Sequence, residues 1–508
     1  MKGNAIALSL LTICGAGTIA KSTENRPNIV FFYVDDLGWM DLSCQGSKFY
    51  ETPNIDRLAS QGMRFTNAYS AFARCLPARY GVLTGKFPAR GGVPGRGHLR
   101  PDDLTLGEAL QEGGYKTCFI GKWHLTGDVG EKNLPKNQGF NVSIAAGAPG
   151  SPDTYFYPYR TIHKNEKLQG DAAIGLDDKI IPDLDEGGKE GEYLTDRLTN
   201  EAIKFMNSHL KENRGQPFLL YLSHYGVHTP LEAKKEIIEK YEKKLRTIEF
   251  NVPEYLPAGK GQVKMRQDNP VYAAMIESID QSMGRILEAL DELGIADNTV
   301  VFFSSDNGGL SNRGNNNRIL STSNFPLRNG KGWGYEGGIR VPLIVRWPKV
   351  VKEDSLCSEP VIGVDFYPTM LEIAGIPLKP EHHIDGVSFK NALLGNKFER
   401  KKPLFWHEPT ARPNQTGEDN FSAMRLGNFK LIEWTDNGKL ELYDLAIDIG
   451  ENNDISTTMP EKTQELLRIL NEWRKEVNAF TRKTKEKEKG KREKNKNKIN
   501  SKNEEDRE

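Results

Sequence analysis

Apolar residues arrive along this chain in short unbroken runs separated by longer amphipathic stretches. Asn28–Val34 is a continuous apolar run that ends in two acids, the pattern of a strand buried on both faces. Residues 104–112 carry helical spacing and stop at Gly113-Gly114, and Lys116–Gly121 reads as the next strand. Residues 218–222 give another strand. Residues 270–293 place Ile276, Ile279, Met283, Ile286, Leu287, Leu290 and Leu293 on one helical face; Gly294 stops the helix, and 299–303 follows as a strand. Strands alternating with helices predict an α/β fold, with a large, mostly parallel or mixed sheet flanked by helices on both sides.

After about residue 400 the pattern shortens. Residues 422–426, 430–434 and 440–445 read as strands, with Asp436-Asn437-Gly438 as a hairpin turn, and 461–477 as one amphipathic helix. This predicts a smaller C-terminal α+β domain with a short antiparallel sheet and one helix. The expected division is a signal peptide over 1–20, a catalytic domain over 21–400, the small domain over 401–481 and a charged tail over 482–508. Residues 144–195 and 229–268 read as long polar loops, a length often used for functional rims.

The ends of the chain differ from its body. Lys2 precedes an apolar run over 5–19 that is too short to span a bilayer, and Ala20 suits signal cleavage, so export to the periplasm or medium is expected. Cys14 lies in Leu-Thr-Ile-Cys-Gly, near a lipid-attachment pattern, but Ile13 is bulkier than that pattern takes, so lipid anchoring is the lesser expectation. No other segment is long and apolar enough to cross a membrane. The tail holds twelve basic and seven acidic residues with one large apolar side chain, Ile499, and is expected to stay solvated and disordered.

Composition narrows the function. The 508 residues are 37% hydrophobic and 27% charged, with 69 basic and 69 acidic side chains, so binding nucleic acid through whole-surface charge is excluded. The five cysteines, at positions 14, 44, 75, 118 and 357, are too few for a disulfide scaffold and form no Cys-x-x-Cys pair for zinc. Beyond Cys14 and Cys75, three buried thiols are expected.

Candidate chemistry gathers at predicted strand ends, where open α/β sheets bind ligands. Asp35 and Asp36 follow the first strand, and Asp306 and Asn307 follow the strand over 299–303. Four oxygen-bearing side chains brought together suit a hard cation such as calcium or magnesium; acids capping strand ends are the plainer alternative for each pair. Cys75 opens Cys75-Leu-Pro-Ala-Arg79 before an apolar helical stretch, at or near the N-cap, where free backbone N–H groups favour an anion. A lone cysteine is more often a structural thiol than a nucleophile; the package with Pro77, Arg79 and Thr84-Gly85 is what sets this one apart. Lys122 and His124 lie two apart after another strand and point to one side. His228 follows 218–222, and Lys331 sits in a glycine-rich loop.

Taken together these segments resemble the type I sulfatases of the alkaline-phosphatase-like superfamily. The matching residues are Pro27-Asn-Ile-Val with Asp35-Asp36, Thr52-Pro-Asn-Ile-Asp56, Cys75-x-Pro-x-Arg79 with Leu83-Thr-Gly85, Gly121-Lys-Trp-His124, His228-Thr-Pro230, Ser305-Asp-Asn-Gly308, Gly330-Lys331 and Glu441-Leu-Tyr-Asp-Leu445. The resemblance implies an alkaline-phosphatase-like fold and oxidation of Cys75 to formylglycine (3-oxoalanine) by a separate maturation enzyme. It implies that one hydroxyl of the hydrated aldehyde takes the sulfuryl group and that loss of the other's proton expels sulfate. It further implies one Ca2+ held by Asp35, Asp36, Asp306, Asn307 and the converted Cys75. Arg79 and Lys122 would hold the hydrate, His124 would take its proton, and His228 and Lys331 would bind sulfate and help protonate the leaving alcohol. Ala78 stands where the family most often has serine, which leaves the maturation system open.

An exported enzyme of this kind is expected to act on a sulfated carbohydrate or polysaccharide. Tyr155-Phe-Tyr-Pro-Tyr159 with Arg160 offers either a sugar platform or an aromatic packing loop. Arg96, His98, Arg328, His382, His383 and His407 are further rim candidates. One rival is a formylglycine-dependent phosphonate or phosphate-ester hydrolase, separable by comparing aryl sulfate with aryl phosphate. The other is a catalytically silent protein that binds sulfated glycans, separable by binding without sulfate release.

Overall fold

The computed structural model describes residues 26–91, 99–100, 102–160 and 181–480. The expected signal peptide with Cys14, the charged tail, and the rim candidates Arg96 and His98 lie outside the described residues.

The buried run predicted first forms β1 (Asn28–Val34), with every residue buried. It lies at the centre of an eight-stranded sheet. In chain order the other members are β2 (Met63–Phe65), β4 (Lys116–Gly121), β5 (Val142–Ile144), β6 (Phe218–Ser223), β9 (Thr299–Ser305), β11 (Leu343–Arg346) and β12 (Ser355–Cys357), after counting the short strands β3 (Ala68–Tyr69), β7 (Tyr255–Ala258), β8 (Gly261–Lys264) and β10 (Asn312–Arg313) outside it. The spatial order is β12-β2-β11-β9-β1-β6-β4-β5. The block from β9 to β5 is parallel, whereas β11 runs antiparallel to both β9 and β2. The sheet is therefore mixed.

Helices cover both faces, and each face has its own apolar cluster. Helices α1 (Pro53–Ser60), α4 (Leu194–Asn213), α5 (Lys235–Leu245) and α6 (Pro270–Glu292) pack on one side. Helices α2 (Cys75–Thr84), α3 (Leu106–Glu112) and α8 (Phe366–Ile373) pack on the other, with the one-turn α7 (Glu336–Ile339) and α9 (Lys390–Leu393) in the connections. Asn269 caps α6 by accepting from the Val271 and Tyr272 N–H groups, and Thr105 and Glu108 form a capping box on α3.

Beyond β13 (Val361–Ile362), strands β14 (Leu404–Glu408), β15 (Phe421–Leu426), β16 (Phe429–Trp434) and β17 (Lys439–Asp444) make a four-stranded antiparallel meander covered by α10 (Pro460–Glu476). Its core stacks Phe405 on Trp473 and reaches into the large unit through Trp406, Trp333 and Tyr69.

Two expectations need correction. Residues 229–268 are not an open loop: charged α5 and the β7–β8 hairpin occupy them, because the apolar faces of Ile237 and Tyr241 are spaced for a helix among many lysines and glutamates. Of the three remaining thiols among the described residues only Cys118 is fully buried, while Cys44 and Cys357 are half-buried; all are free.

Candidate active site

The parallel register builds the site. Val34 pairs with Ser305, so the next residues, Asp35 and Asp306, emerge side by side from β1 and β9. Tyr33 pairs with Ser223 and Gly121 pairs with the same serine, so Lys122 leaves β4 at the same level. Asp36 adopts a left-handed backbone (φ 61°), which turns the chain sharply and presents its carboxylate to the same point. Cys75 is the first residue of α2, with extended Arg74 as its N-cap.

These groups meet in a buried cluster. One ligand atom from each of Asp35, Asp36, Cys75 and Asp306 lies within 4.8 Å of all the others. The Cys75 sulfur is 3.5 Å from Asp36 Oδ1 and 3.3 Å from Lys331 Nζ. Three cations face three carboxylates: Lys122 Nζ donates to Asp35 Oδ2 at 2.5 Å, Lys331 Nζ to Asp36 Oδ2 at 2.7 Å, and Arg79 Nε to Asp306 Oδ2 at 2.9 Å. Arg79 also donates to the Lys122 carbonyl and to Ser223 Oγ. Asn307 donates its amide N–H to Asp36 Oδ1. Its Oδ1, and Asp35 Oδ1, are buried acceptors without a hydrogen bond. Such oxygens are costly to leave unmatched, and with the carboxylates around them they fit a hard divalent cation rather than zinc, which prefers sulfur and imidazole.

Two histidines flank the cluster. His228 Nδ1 lies 2.7 Å from the Thr229 carbonyl, so that nitrogen carries the proton and the neutral ring turns Nε2 toward Asp36 Oδ2, 3.6 Å away. Burial and then Lys331 push its pKa down to about 3. Tyr155 holds the segment by donating to the His228 and Tyr225 carbonyls. His124 has a left-handed backbone and a buried Nδ1 without a hydrogen bond. Burial, then Lys122 and Arg79, hold it well below the usual histidine range. A side chain at Gly150 would strike its ring, so glycine there permits the close approach.

The carboxylates are polarised unequally. Burial and the adjacent Asp35 push Asp306 up. Burial acts on Asp36 in the same direction, but Lys331, with Lys122 adding to it, outweighs burial and holds Asp36 far below the carboxylate range. Burial, Asp306 and Asp35 push the Cys75 thiol up, so the unmodified sulfur is a poor thiolate.

All ten residues expected from the sequence, namely Asp35, Asp36, Cys75, Arg79, Lys122, His124, His228, Asp306, Asn307 and Lys331, converge here. The rim candidates among the described residues do not. His383 packs against Gly85 at the far end of α2 with His382 beside it, His407 is buried between Ser422 and the Phe480 carbonyl, and Arg328 is held by Tyr443 and the Glu451 carbonyl. Tyr155 and Tyr159 are fully buried and pack into the unit, whereas Phe156 and Tyr157 between them are half-buried and Arg160 is exposed. Ser223 was missed; a serine closing an otherwise apolar strand was its signal.

Comparison with known proteins agrees with this geometry. The family profile described as Sulfatase matches residues 27–376, and one described as N-sulphoglucosamine sulphohydrolase, C-terminal, matches 329–479. The N-acetylgalactosamine-6-O-sulfatase of Bacteroides thetaiotaomicron is 30% identical over 91% of this chain and 96% of its own. The crystal structure of Ps i-CgsB superposes with a TM-score of 0.72 at 30% identity, covering 88% of this chain and 92% of that one. The same protein in complex with k-i-k-neocarrahexaose gives 0.70 at the same identity and coverage. With profile, relative and fold in agreement over nearly the whole described chain, the protein belongs to the sulfatase family and is a sulfuric ester hydrolase.

Proposed function

We propose that this protein hydrolyses sulfate esters on a carbohydrate, with residue 75 converted to formylglycine and one calcium ion bound beside it. The observation that carries the reading is the meeting of Cys75 with Asp35, Asp36, Asp306 and Asn307 at the carboxyl ends of β1 and β9. The substrate class rests on two likenesses: a relative named for N-acetylgalactosamine 6-O-sulfate and a similar structure that binds an oligosaccharide.

Asp35, Asp36, Asp306, Asn307 and the converted residue 75 would hold the cation, which supplies charge neutralisation at sulfate oxygens and a lowered pKa for a coordinated hydroxyl. A hydrated formylglycine at position 75 would supply geminal hydroxyls, one as nucleophile and the other as the group whose deprotonation frees the product. The remaining steps belong to the chain's own side chains. Arg79, fixed by Asp306, Ser223 and the Lys122 carbonyl, and Lys122, fixed by Asp35, orient residue 75. His124 is neutral and takes a proton at its unpartnered Nδ1. Lys331, 3.3 Å from the residue 75 sulfur, binds sulfate and donates the proton to the leaving alcohol. His228, whose neutral ring offers Nε2 as an acceptor, steers that hydrogen-bond pattern.

Residues 1–20 would direct export, and a maturation enzyme outside this chain would modify Cys75. Among the described residues no helix is long and apolar enough to cross a membrane. Residues 21–400 would form the catalytic domain and 401–481 the small one. The test is mass analysis of the Cys75 peptide, coupled with sulfate release from defined sulfated oligosaccharides and from paired aryl sulfate and aryl phosphate. Formylglycine at position 75 and preference for sulfate are expected. An unmodified cysteine in active protein, or full turnover by Cys75→Ala, overturns the mechanism.

A further inference from the structure

Two loops outside the metal cradle are bound into one rim beside residues 75 and 331. Arg74, immediately before Cys75, is paired with Glu408 at the end of β14 and donates to Thr410 Oγ1 at 3.1 Å. The chain from Thr410 to Thr416 is bonded in turn to the loop after β10. Gly314 N donates to the Gln415 carbonyl at 3.0 Å, and Asn316 Nδ2 donates to the Asn414 and Gln415 carbonyls at 2.9 and 3.0 Å. Asn312 Nδ2 then joins the Lys331 carbonyl at 3.2 Å to the Thr416 carbonyl at 2.5 Å.

Each loop carries one arginine whose backbone is fixed and whose guanidinium is free. The Arg412 carbonyl accepts from the Gln415, Thr416 and Gly417 N–H groups, and its own N–H donates to Glu418 Oε1. Arg318 N–H donates to Asn316 Oδ1, and its carbonyl accepts from Arg313. Among the described residues neither guanidinium has an acidic partner or a hydrogen bond, whereas Arg74, Arg79 and Arg340 are all paired. Arg412 is exposed and Arg318 half-buried.

Both lie within electrostatic reach of the site. Beneath the larger influences of burial, Asp36, Cys75 and Asp35, Lys331 feels Arg318 as a like charge. Burial and then Arg74 push Arg412 down, with Glu408, Glu418 and Cys75 acting the other way. Glu418 offers little compensation, because burial pushes its carboxyl toward the neutral form and its Oε2 makes no hydrogen bond. In the interior, three carboxylates already match Arg79, Lys122 and Lys331. The rim therefore presents positive charge that nothing in the cradle balances.

We infer that Arg318 and Arg412 form a second anion-recognition edge, taking a further negative group (a carboxylate or second sulfate) on the sugar next to the scissile ester. This rests on the proposed carbohydrate sulfatase function and adds a substrate class: oligosaccharides that carry more than one negative group. Two planar forks carried on braced loops can each take such a group bidentately, and their charge focuses anions toward the cleft.

The test uses the full chain with residue 75 converted and four substrates: an aryl sulfate, a neutral disaccharide with one sulfate, the same disaccharide with two sulfates, and a disaccharide with one sulfate and one uronate. At low salt the parent should prefer a doubly charged disaccharide over the singly charged one by about tenfold or more in kcat/KM, mainly through KM, and salt should erode the preference. The double variant R318Q/R412Q should lose most of that preference, and the double Arg→Lys variant should recover part of it. Which doubly charged disaccharide is favoured identifies the anion. A parent without preference, or a variant that falls equally on all four substrates, overturns the inference. No release even from the aryl sulfate by converted parent defeats the sulfatase mechanism as well, and the aryl sulfate arm tells the two failures apart.

Discussion

Two buried clusters of charged side chains lie within this molecule, and they are built from the same residue types. One is the cradle around Cys75. The other is the seam where β16 of the small meander meets α7 of the large unit. In the seam Lys430 Nζ sits 2.8 Å from both Glu336 and Glu451, and Arg340 lies 2.7 Å from Glu336. Tyr69 bridges Glu336, Arg340 and Arg425 through its hydroxyl. Both glutamates there face a lysine, although Glu451 Oε1 has the Lys430 ion pair without a hydrogen bond. In the cradle the cations pair just as closely, but Asp35 Oδ1 and Asn307 Oδ1 point inward without a donor. The clusters differ in connectivity: the seam joins two glutamates through one shared lysine, whereas the cradle pairs each of three carboxylates with its own cation and gathers them around Cys75.

The largest expected break in the comparison comes from removing divalent cations. With a chelator, turnover of an aryl sulfate should fall by about 10³-fold or more, since a bound metal contributes several kcal/mol of charge stabilisation, and calcium should restore it. The seam needs no metal, so circular dichroism of the small meander should not change. Chelator-resistant turnover would remove the cation from the cradle.

Next in size is Lys430→Met, which strips the seam of the cation shared by Glu336 and Glu451. Breaking a buried pair costs about 3–5 kcal/mol, read as a lower urea midpoint. Protein that remains folded should keep aryl sulfate turnover within about twofold, because no seam residue touches the cradle. A tenfold loss of turnover at unchanged stability would show that the two clusters are coupled.

The two clusters also differ in how far the sequence revealed them. The cradle residues stand at strand ends within recognisable motifs, so their convergence followed once β1, β4, β6 and β9 were seen as neighbours. The seam residues carry no such mark. Glu336 lies in a one-turn helix and Lys430 on a short strand, and only tertiary packing brings them together. Helix α5 was hidden for a related reason, since its charged composition obscured the spacing of Ile237 and Tyr241. Arg318 and Arg412 were illegible because their relation to the cradle runs through hydrogen bonds between residues 98 and 99 positions apart. Single histidines such as His383 and His407 had the opposite fault: their chemistry suggested function while their burial made them structural.

Within the cradle, Arg79→Lys should preserve charge but lose the fork that reaches Asp306, Ser223 and the Lys122 carbonyl together. A loss of about 10²-fold in kcat is expected with KM little altered, by analogy with removal of one preorganised donor. A loss confined to KM would make Arg79 a substrate-binding group rather than the brace of residue 75.

The smallest effect is a pH dependence of the seam, carried by Glu451. Burial pushes Glu451 up to about 7, with Lys430 opposing and Glu336 reinforcing the rise. A carboxyl raised on folding binds its proton more tightly in the native state. Its contribution to stability is therefore full below the unfolded value, near 4.5, and fades as pH climbs through about 7. Glu336 works in the opposite sense: burial raises it, but Lys430 and Arg340 prevail and hold it at about 2, so its contribution is lost only in strong acid. Between pH 5 and 8 the Glu451 slope should dominate the seam, and Glu451→Gln, neutral throughout, should flatten the decline by up to about 2.5 kcal/mol of unfolding free energy, read from the urea midpoint. An unchanged slope in that variant would mean that Lys430 keeps both glutamates ionised throughout that range.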